Sequence, residues 1–351
     1  LHPRLGRHDD PPPEVIPIGR SVIVPANGSL PNIILSPRSV FRLKRVLERE
    51  QFDLLHVHEP MTPTPGVATL ALARCPLVAT FHASGELSWL KLAKPIWGFL
   101  ADRLDHRIAV SDPARETAAR YFPGDYELIP NGVLVPEEAE AGSRAEQIAF
   151  VGVAGGVDLA VDRGERAEQI VFVGRQEPRK GLQVLLRAWP EIRRRTGARL
   201  RIVGADPLAV RLLFSRLRVP DDGVDVLGFL SQEALTAELV AAKALVAPSL
   251  GGESFGMVLT RAFACATPVV ASDISGYRGV MEPEAGRLVP PGEPSLLADA
   301  VVELLADEPA REKLGRSARA IAQEKYSWDG IAQRLAEIYA SLTGSRSAVA
   351  A

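Results

Sequence analysis

The segment Gly251-Gly252-Glu253-Ser254-Phe255-Gly256 sets a glycine pair, a carboxylate and a further glycine between an apolar run, Ala244-Leu245-Val246-Ala247-Pro248, and a stretch of helical spacing. Glycines at the end of a strand let the backbone come close to a ligand. A helix starting there turns its unpaired N–H groups and the positive end of its dipole toward that ligand. The natural guest is a phosphate. The carboxylate of Glu253 is repelled by phosphate, so it is expected to face something uncharged, such as sugar hydroxyls. Phosphate beside sugar is the chemistry of a sugar nucleotide. Glycine-rich turns are common, and an incidental strand–turn–helix connection is the plain alternative.

A second cluster has the same setting. The apolar run Ile170-Val171-Phe172-Val173 leads into Gly174-Arg175-Gln176-Glu177-Pro178-Arg179-Lys180-Gly181, and an amphipathic pattern follows from Leu182. Arg175 and Lys180 share one strand-to-helix loop, where a planar fork and a compact point charge can converge on a diphosphate. Solvated surface cations are the alternative. His82 follows the apolar run 77–81, at the edge where ligands bind in open α/β sheets. A fourth group lies on a helical stretch: Arg38, Arg42, Arg45 and Arg49, with Lys44 beside them, against Val40, Leu43 and Leu47 on the other side. A basic stripe on an amphipathic helix suits an anionic lipid surface; an ordinary solvated face is the alternative.

These groups need strands and helices in alternation to hold them, which implies doubly wound α/β domains. Strand-like runs fall at 14–18, 54–58, 77–81, 106–110 and 127–129, and again at 170–173, 199–203, 224–227, 244–247 and 268–271. The organisation read from this is an N-terminal domain over 1–135, a linker over 136–168, a C-terminal domain over 169–325, a crossing helix over 326–343 and a tail over 344–351. The linker contains a repeat: Arg144-Ala145-Glu146-Gln147-Ile148-Ala149-Phe150-Val151-Gly152 recurs as Arg166-Ala167-Glu168-Gln169-Ile170-Val171-Phe172-Val173-Gly174, and only the second copy runs into Arg175 and Lys180. The second copy is expected to be the true strand.

Composition narrows the classes. The 351 residues, 46% of them hydrophobic, suffice for two ordinary domains. The net charge of −2 gives no reason to bind nucleic acid. No apolar run approaches the roughly 18 residues of a bilayer-crossing helix. Cys75 and Cys265 stand apart in apolar surroundings, which argues against a disulfide or a metal site and fits a reducing cytosol. No Asp-x-Asp signature for a metal-bound diphosphate and no secretory leader are evident.

In order and spacing, Gly174-Arg175…Arg179-Lys180-Gly181, Gly252-Glu253-Ser254-Phe255-Gly256, Thr267-Pro268-Val269-Val270-Ala271-Ser272-Asp273 and Gly286-Arg287-Leu288-Val289 resemble the retaining glycosyltransferases of family 4. The N-terminal segments Pro25-Ala26-Asn27-Gly28-Ser29, His56-Val57-His58-Glu59-Pro60, Ala79-Thr80-Phe81-His82, Arg107-Ile108-Ala109-Val110-Ser111 and Ile129-Pro130-Asn131-Gly132-Val133 resemble the bacterial phosphatidylinositol mannosyltransferases within it. The resemblance implies the GT-B fold: two Rossmann-like doubly wound parallel-sheet domains facing a cleft, with a C-terminal crossover helix. It implies metal-independent, retaining transfer of a hexose, mannose from GDP-mannose, to a phosphatidyl-myo-inositol-type lipid, without a cofactor. The protein would then be cytoplasmic and peripheral on the inner face of the cell membrane. A UDP- or ADP-sugar donor with another acceptor, a sugar-nucleotide epimerase and an inactive binding remnant are the alternatives.

The same resemblance assigns residues. Gly174, Arg175, Lys180, Leu230, Gly252, Glu253, Ser254, Phe255, Gly256 and Arg261 bind the donor, Asn27, Ser29 and His82 meet the acceptor, and His82, Arg175, Lys180 and Glu253 are catalytic. Arg261 stands where the family usually has a second glutamate for the nucleotide ribose, and Ala26 where it has an aromatic residue. The family's first strand, its Gly-Gly loop and its first helix have no counterpart here, so the chain is expected to be N-terminally incomplete.

Overall fold

The structure, a computed structural model, describes residues 2–4, 15–20, 22–23, 32–34, 36–62, 64–85, 94–136 and 169–349. Asn27, Ser29 and the first copy of the internal repeat lie outside the described residues. The chain forms two compact units: one of Leu1–Asn131, Gly252–Phe255 and Asp329–Ala351, the other of Gly132–Gly251 and Gly256–Trp328.

In the first unit, β1 (His2–Arg4) pairs in parallel with β2 (Pro17–Arg20), and β3 (Val22–Ile23) pairs antiparallel with β4 (Asn32–Ile33). The main sheet is parallel and runs in chain order through β5 (Leu55–His58), β6 (Leu77–Phe81), β7 (His106–Ala109) and β8 (Glu127–Leu128). Every residue of β6 is buried, which is why the strand is apolar at every position except Thr80 rather than alternating. On one face Leu77, Ala79 and Phe81 pack with Met61, Leu70, Trp97 and Phe122. On the other, Val78, Ile108 and Ile129 receive Ile331 and Ile338 from the helix Trp328–Val349, with Leu335 and Leu342 alongside. These four side chains recur at steps of three and four, a single stripe of the helix. An ion pair between Arg334 and Glu127, Nε to Oε1 at 2.6 Å, ties the same helix to β8.

The second unit has six parallel strands: β9 (Gln169–Val173), β10 (Arg199–Val203), β11 (Val224–Gly228), β12 (Ala244–Ala247), β13 (Val269–Ser272) and β14 (Gly286–Val289). Their order is β11-β10-β9-β12-β13-β14. This is the doubly wound dinucleotide-binding arrangement, with the reversal of strand order between β9 and β12. The sequence reading has five of these strands; the sixth, β14, is the Gly286-Arg287-Leu288-Val289 motif. A Cβ on Gly286 would lie 2.1 Å from the carbonyl oxygen of Val269, so the strand docks only because that residue is glycine. The core beneath the sheet joins Ile170, Phe172, Leu200, Ile202 and Val246 to Leu185, Trp189 and Ile192 of the helix Leu182–Thr196 and to Leu297, Val301 and Leu304 of the helix Pro294–Ala306.

Candidate functional site

The reversal between β9 and β12 fixes where a ligand of the second unit belongs, because the connections after the two strands diverge there and leave a crevice at the carboxyl ends. Both loops singled out by the sequence arise at this point. They touch: the amide of Leu250 donates to the carbonyl of Arg179 at 2.7 Å. Gly181 has φ +72°, and a Cβ there would sit 1.7 Å from the carbonyl oxygen of Pro248. Only glycine allows that approach, and it sets the start of the helix Leu182–Thr196.

Within the first loop the cations are organised by a residue the sequence reading passed over. Glu177 is buried and shared by two guanidinium groups, Arg175 Nη2 to Oε1 at 2.9 Å and Arg179 Nη2 to Oε2 at 2.8 Å. The amide of Lys180 donates to the carbonyl of Glu177 at 2.9 Å, and the Lys180 side chain is half-buried. Three cations against one carboxylate leave the loop with a net positive charge. Gly174 lies against Gly204, whose Cβ would come within 3.0 Å of the Gly174 carbonyl oxygen.

In the second loop Gly251, Gly252 and Gly256 have φ of +151°, +69° and +84°. Gly256 precedes the helix Met257–Ala264 and leaves no room for a side chain, since a Cβ would lie 2.8 Å from the ring of Tyr277. The Tyr277 hydroxyl is 2.8 Å from that of Ser249, both buried. Phe255 is buried, Glu253 and Ser254 are half-buried, and residues 252–255 count with the first unit. Arg261 is half-buried in the last turn of the helix Met257–Ala264. Leu230 follows β11, two strands away from β9 in the sheet.

The first unit gathers a different group. Alternation along β5 and β6 puts His56, His58, Thr80 and His82 on one face. His82 Nε2 is 2.8 Å from His58 Nδ1. His56 is held on both nitrogens, by Thr80 Oγ1 at 2.6 Å and by the Tyr339 hydroxyl at 2.5 Å, and its ring stacks on that of His58 at 4.5 Å between centroids. Burial comes first among the causes that lower the pKa values of all three rings, to about 4 for His56 and His82. Neighbouring imidazoles add to the effect on His56 and His82, and a hydrogen bond with the Asn131 side chain opposes it at His82. Glu59 turns the chain after β5 at φ +54° and its carboxylate accepts the amides of His82 and Ala83, the latter at 2.5 Å. Burial raises the pKa of that carboxyl, and the two amides pull it back. His58, Glu59 and Tyr339 are absent from the sequence-derived site. The two histidines flanking Val57 were the available signal, because polar residues at alternate positions of a strand mark a face that is not apolar.

Two family models match the chain: "Glycosyltransferase Family 4" over residues 5–135 and "Glycosyl transferases group 1" over residues 167–307. The chain is 36% identical to a phosphatidyl-myo-inositol mannosyltransferase of Mycobacterium leprae, over 96% of this chain and 86% of that protein. It belongs to the family 4, group 1 glycosyltransferases. A protein of the same description from Propionibacterium freudenreichii is 31% identical over 93% of this chain and 80% of its own. Among solved structures, Anabaena HepE in complex with UDP superimposes with a TM-score of 0.69 at 22% identity, covering 87% of this chain and 82% of that one. The fold is therefore GT-B, and the chain is a glycosyltransferase.

The helix Pro37–Glu50 of the first unit carries the basic stripe read in the sequence. It buries Ser39, Leu43 and Val46 and leaves Val40 and Leu47 half-buried, a slightly different inner face from that read in the sequence. Arg38, Arg42, Lys44, Arg45 and Arg49 are exposed. Lys44 pairs with Glu48 at 3.7 Å and Arg49 with Glu50, whereas Arg38, Arg42 and Arg45 make no ion pair among the described residues. Phe41 stands 67% exposed among them. No helix among the described residues is long and apolar enough to cross a membrane.

Proposed function

We propose that this glycosyltransferase moves mannose from GDP-mannose to a phosphatidyl-myo-inositol-type lipid at the cytosolic membrane face, with retention at the anomeric carbon and without a metal. The observation that carries the reading is the 36% identity over 96% of the chain to a relative described as a phosphatidyl-myo-inositol mannosyltransferase. Arg175 and Lys180 hold the donor diphosphate in the loop that Gly181 closes, with the start of the helix Leu182–Thr196 beside them. Glu253 accepts hydrogen bonds from the donor sugar, and Arg261 takes the place of a carboxylate toward the ribose. Gly174, Gly252, Ser254, Phe255, Gly256 and Leu230 complete the donor site. His82 meets the transferred sugar, and Asn27 and Ser29 meet the inositol.

An acceptor hydroxyl oxygen bonds to the anomeric carbon as the bond from that carbon to the β-phosphate oxygen breaks on the same face. The hydroxyl proton passes to the departing phosphate, and GDP leaves. Negative charge grows on the phosphate as the bond stretches, so fixed cations stabilise the transition state more than the bound donor. The helix Pro37–Glu50 supports the lipid part of the reading: Arg38, Arg42 and Arg45 face an anionic surface with Phe41 set among them to enter the headgroup layer.

The test offers GDP-mannose, UDP-glucose and ADP-glucose to the chain with phosphatidylinositol vesicles and follows both lipid and nucleotide products. Mannosylated lipid from GDP-mannose alone is expected. Transfer from UDP- or ADP-glucose alone overturns the donor assignment. Epimerised sugar nucleotide without lipid product overturns the reaction class.

A further inference from the structure

His82 leaves β6 in a loop whose main chain is held at both ends. At one end the amides of His82 and Ala83 both donate to Oε1 of Glu59, the second at 2.5 Å. At the other the amide of Gly85 donates to Oγ1 of Thr117 at 3.0 Å, and Thr117 is buried in the helix Asp112–Ala119. Glu59 is fixed in turn by its own main chain. Its amide donates to the carbonyl of Thr80 at 2.9 Å, which continues the ladder of β5 on β6. Its carbonyl accepts the amide and the hydroxyl of Thr62, at 3.0 and 2.9 Å. This arrangement has two costs. A half-buried carboxylate gives up part of its water, and a residue with a Cβ stands at φ +54°. Gln51 and Arg218 also have positive φ, but each caps the end of a helix, where the left-handed conformation is a usual stop. Glu59 closes a strand, where glycine or asparagine would turn the chain with less strain. What glutamate adds is reach: one carboxylate oxygen that meets two successive amides on the neighbouring strand's exit.

We infer that Glu59 is a positioning residue for the transfer: it fixes the main chain at His82 and so sets where the His82 ring meets the sugar. The inference rests on the reading of His82 as the residue that meets the sugar, and it deepens that reading. Two contacts define the ring. Glu59 holds the main chain, and Nε2 of the ring lies 2.8 Å from Nδ1 of His58. Without the first, the ring is located only through a neighbouring side chain. A displacement of about 1 Å at a group that touches the reacting sugar costs up to about 100-fold in rate. The hold requires an acceptor oxygen and not a charge. Both amides go to Oε1, and among the described residues Oε2 makes no hydrogen bond. Glutamine therefore places its oxygen on the same two amides, with its amino group where Oε2 stands.

The experiment compares wild type, Glu59→Gln, Glu59→Gly and Glu59→Asn in the full chain. It reads amide hydrogen exchange, NMR of the His82 ring, and transfer from GDP-mannose to phosphatidylinositol vesicles. Glycine accepts the φ of the turn and removes the carboxylate. Asparagine accepts it too and is one carbon short of the amides, so it gives the same comparison if the glycine protein does not fold. In both, the amides of His82 and Ala83 should exchange at least about tenfold faster than in the wild type, and the ring should sample more than one position. Their turnover should fall about tenfold or more at unchanged KM for the donor. Glu59→Gln should keep the slow exchange and the single ring position, with turnover within about threefold of the wild type. Exchange and ring spectra unchanged in both Glu59→Gly and Glu59→Asn overturn the inference. So does a Glu59→Gln protein that holds both amides yet loses as much turnover as Glu59→Gly, because charge and not position would then be at work. A His82→Ala variant that transfers at the wild-type rate overturns the reading of His82, and the exchange and ring spectra still decide whether Glu59 fixes the loop.

Discussion

In the first unit His56, His58 and His82 stand side by side near the carboxyl ends of β5 and β6, and burial lowers the pKa values of all three. In the second, the loop after β9 keeps Arg175, Arg179 and Lys180 around one buried carboxylate, Glu177. Both sheets are parallel, and both bring polar groups to the same end of their strands. What differs is the charge each environment permits. Imidazole titrates near neutrality and burial suppresses its charge; guanidinium keeps its charge, and the buried Glu177 carboxylate holds the exposed Arg175 and the half-buried Arg179 in place. A neutral site suits hydroxyl groups and a cationic one suits phosphate.

The comparison breaks most sharply at Gly181. Replacing it with Val combines a disfavoured φ with overlap on Pro248 and should cost about 4 kcal/mol of stability, read by denaturant unfolding. A midpoint within error of the wild type would mean that the loops after β9 and β12 are not in contact. Next, Lys180→Ala should lower the transfer rate about 100-fold, on the order of 3 kcal/mol in the barrier, with the unfolding midpoint little changed. A rate within a few-fold of the wild type would remove the second unit's charge from the mechanism.

The neutral site has its own signature. The folded pKa values of His56 and His82 are lowered to about 4 from the ordinary 6.5, so between those values the unfolded chain binds more protons. Stability from these rings is complete above about pH 6.5 and is lost as pH falls toward 4. Glu59, raised by burial, acts in the opposite sense in the lower part of that window, and the two rings set the sign. Urea midpoints should therefore fall from pH 7 to pH 5; a flat profile would show that the rings are solvated. The smallest effect lies outside both sites. Arg42→Gln should weaken binding to phosphatidylinositol-containing vesicles by roughly 1 kcal/mol at low salt and leave unfolding unchanged. Equal binding by wild type and variant would remove this helix from the membrane contact.

Much of this contrast is legible in the sequence, unevenly. The strands Leu77–Phe81, Arg199–Val203 and Ala244–Ala247 agree with the reading to the residue, because each is a short run bounded by turn chemistry. The loops after β9 and β12 were legible for the same reason. Glu177 was not: its role depends on two arginines folding back onto it within a loop of seven residues, 175–181, and nothing in the spacing says that a carboxylate there is buried. His58 was not, because its partner is set by the register of β5 on β6, which no local pattern encodes. The sixth strand escaped because its first residue is a glycine, a strand-weakening residue retained for its lack of a side chain.

The helix Trp328–Val349 has a consequence for how the protein is made. It supplies Ile331 and Ile338 to the face of Val78 and Ile108, and Tyr339 to His56, 283 residues earlier in the chain. As the polypeptide leaves the ribosome, the first sheet therefore waits, with one face bare, while the whole second unit is synthesised. Truncation just after the second unit would leave that apolar face and the His56 ring exposed together. A message cut short there would yield a product marked for chaperones rather than a partly working enzyme.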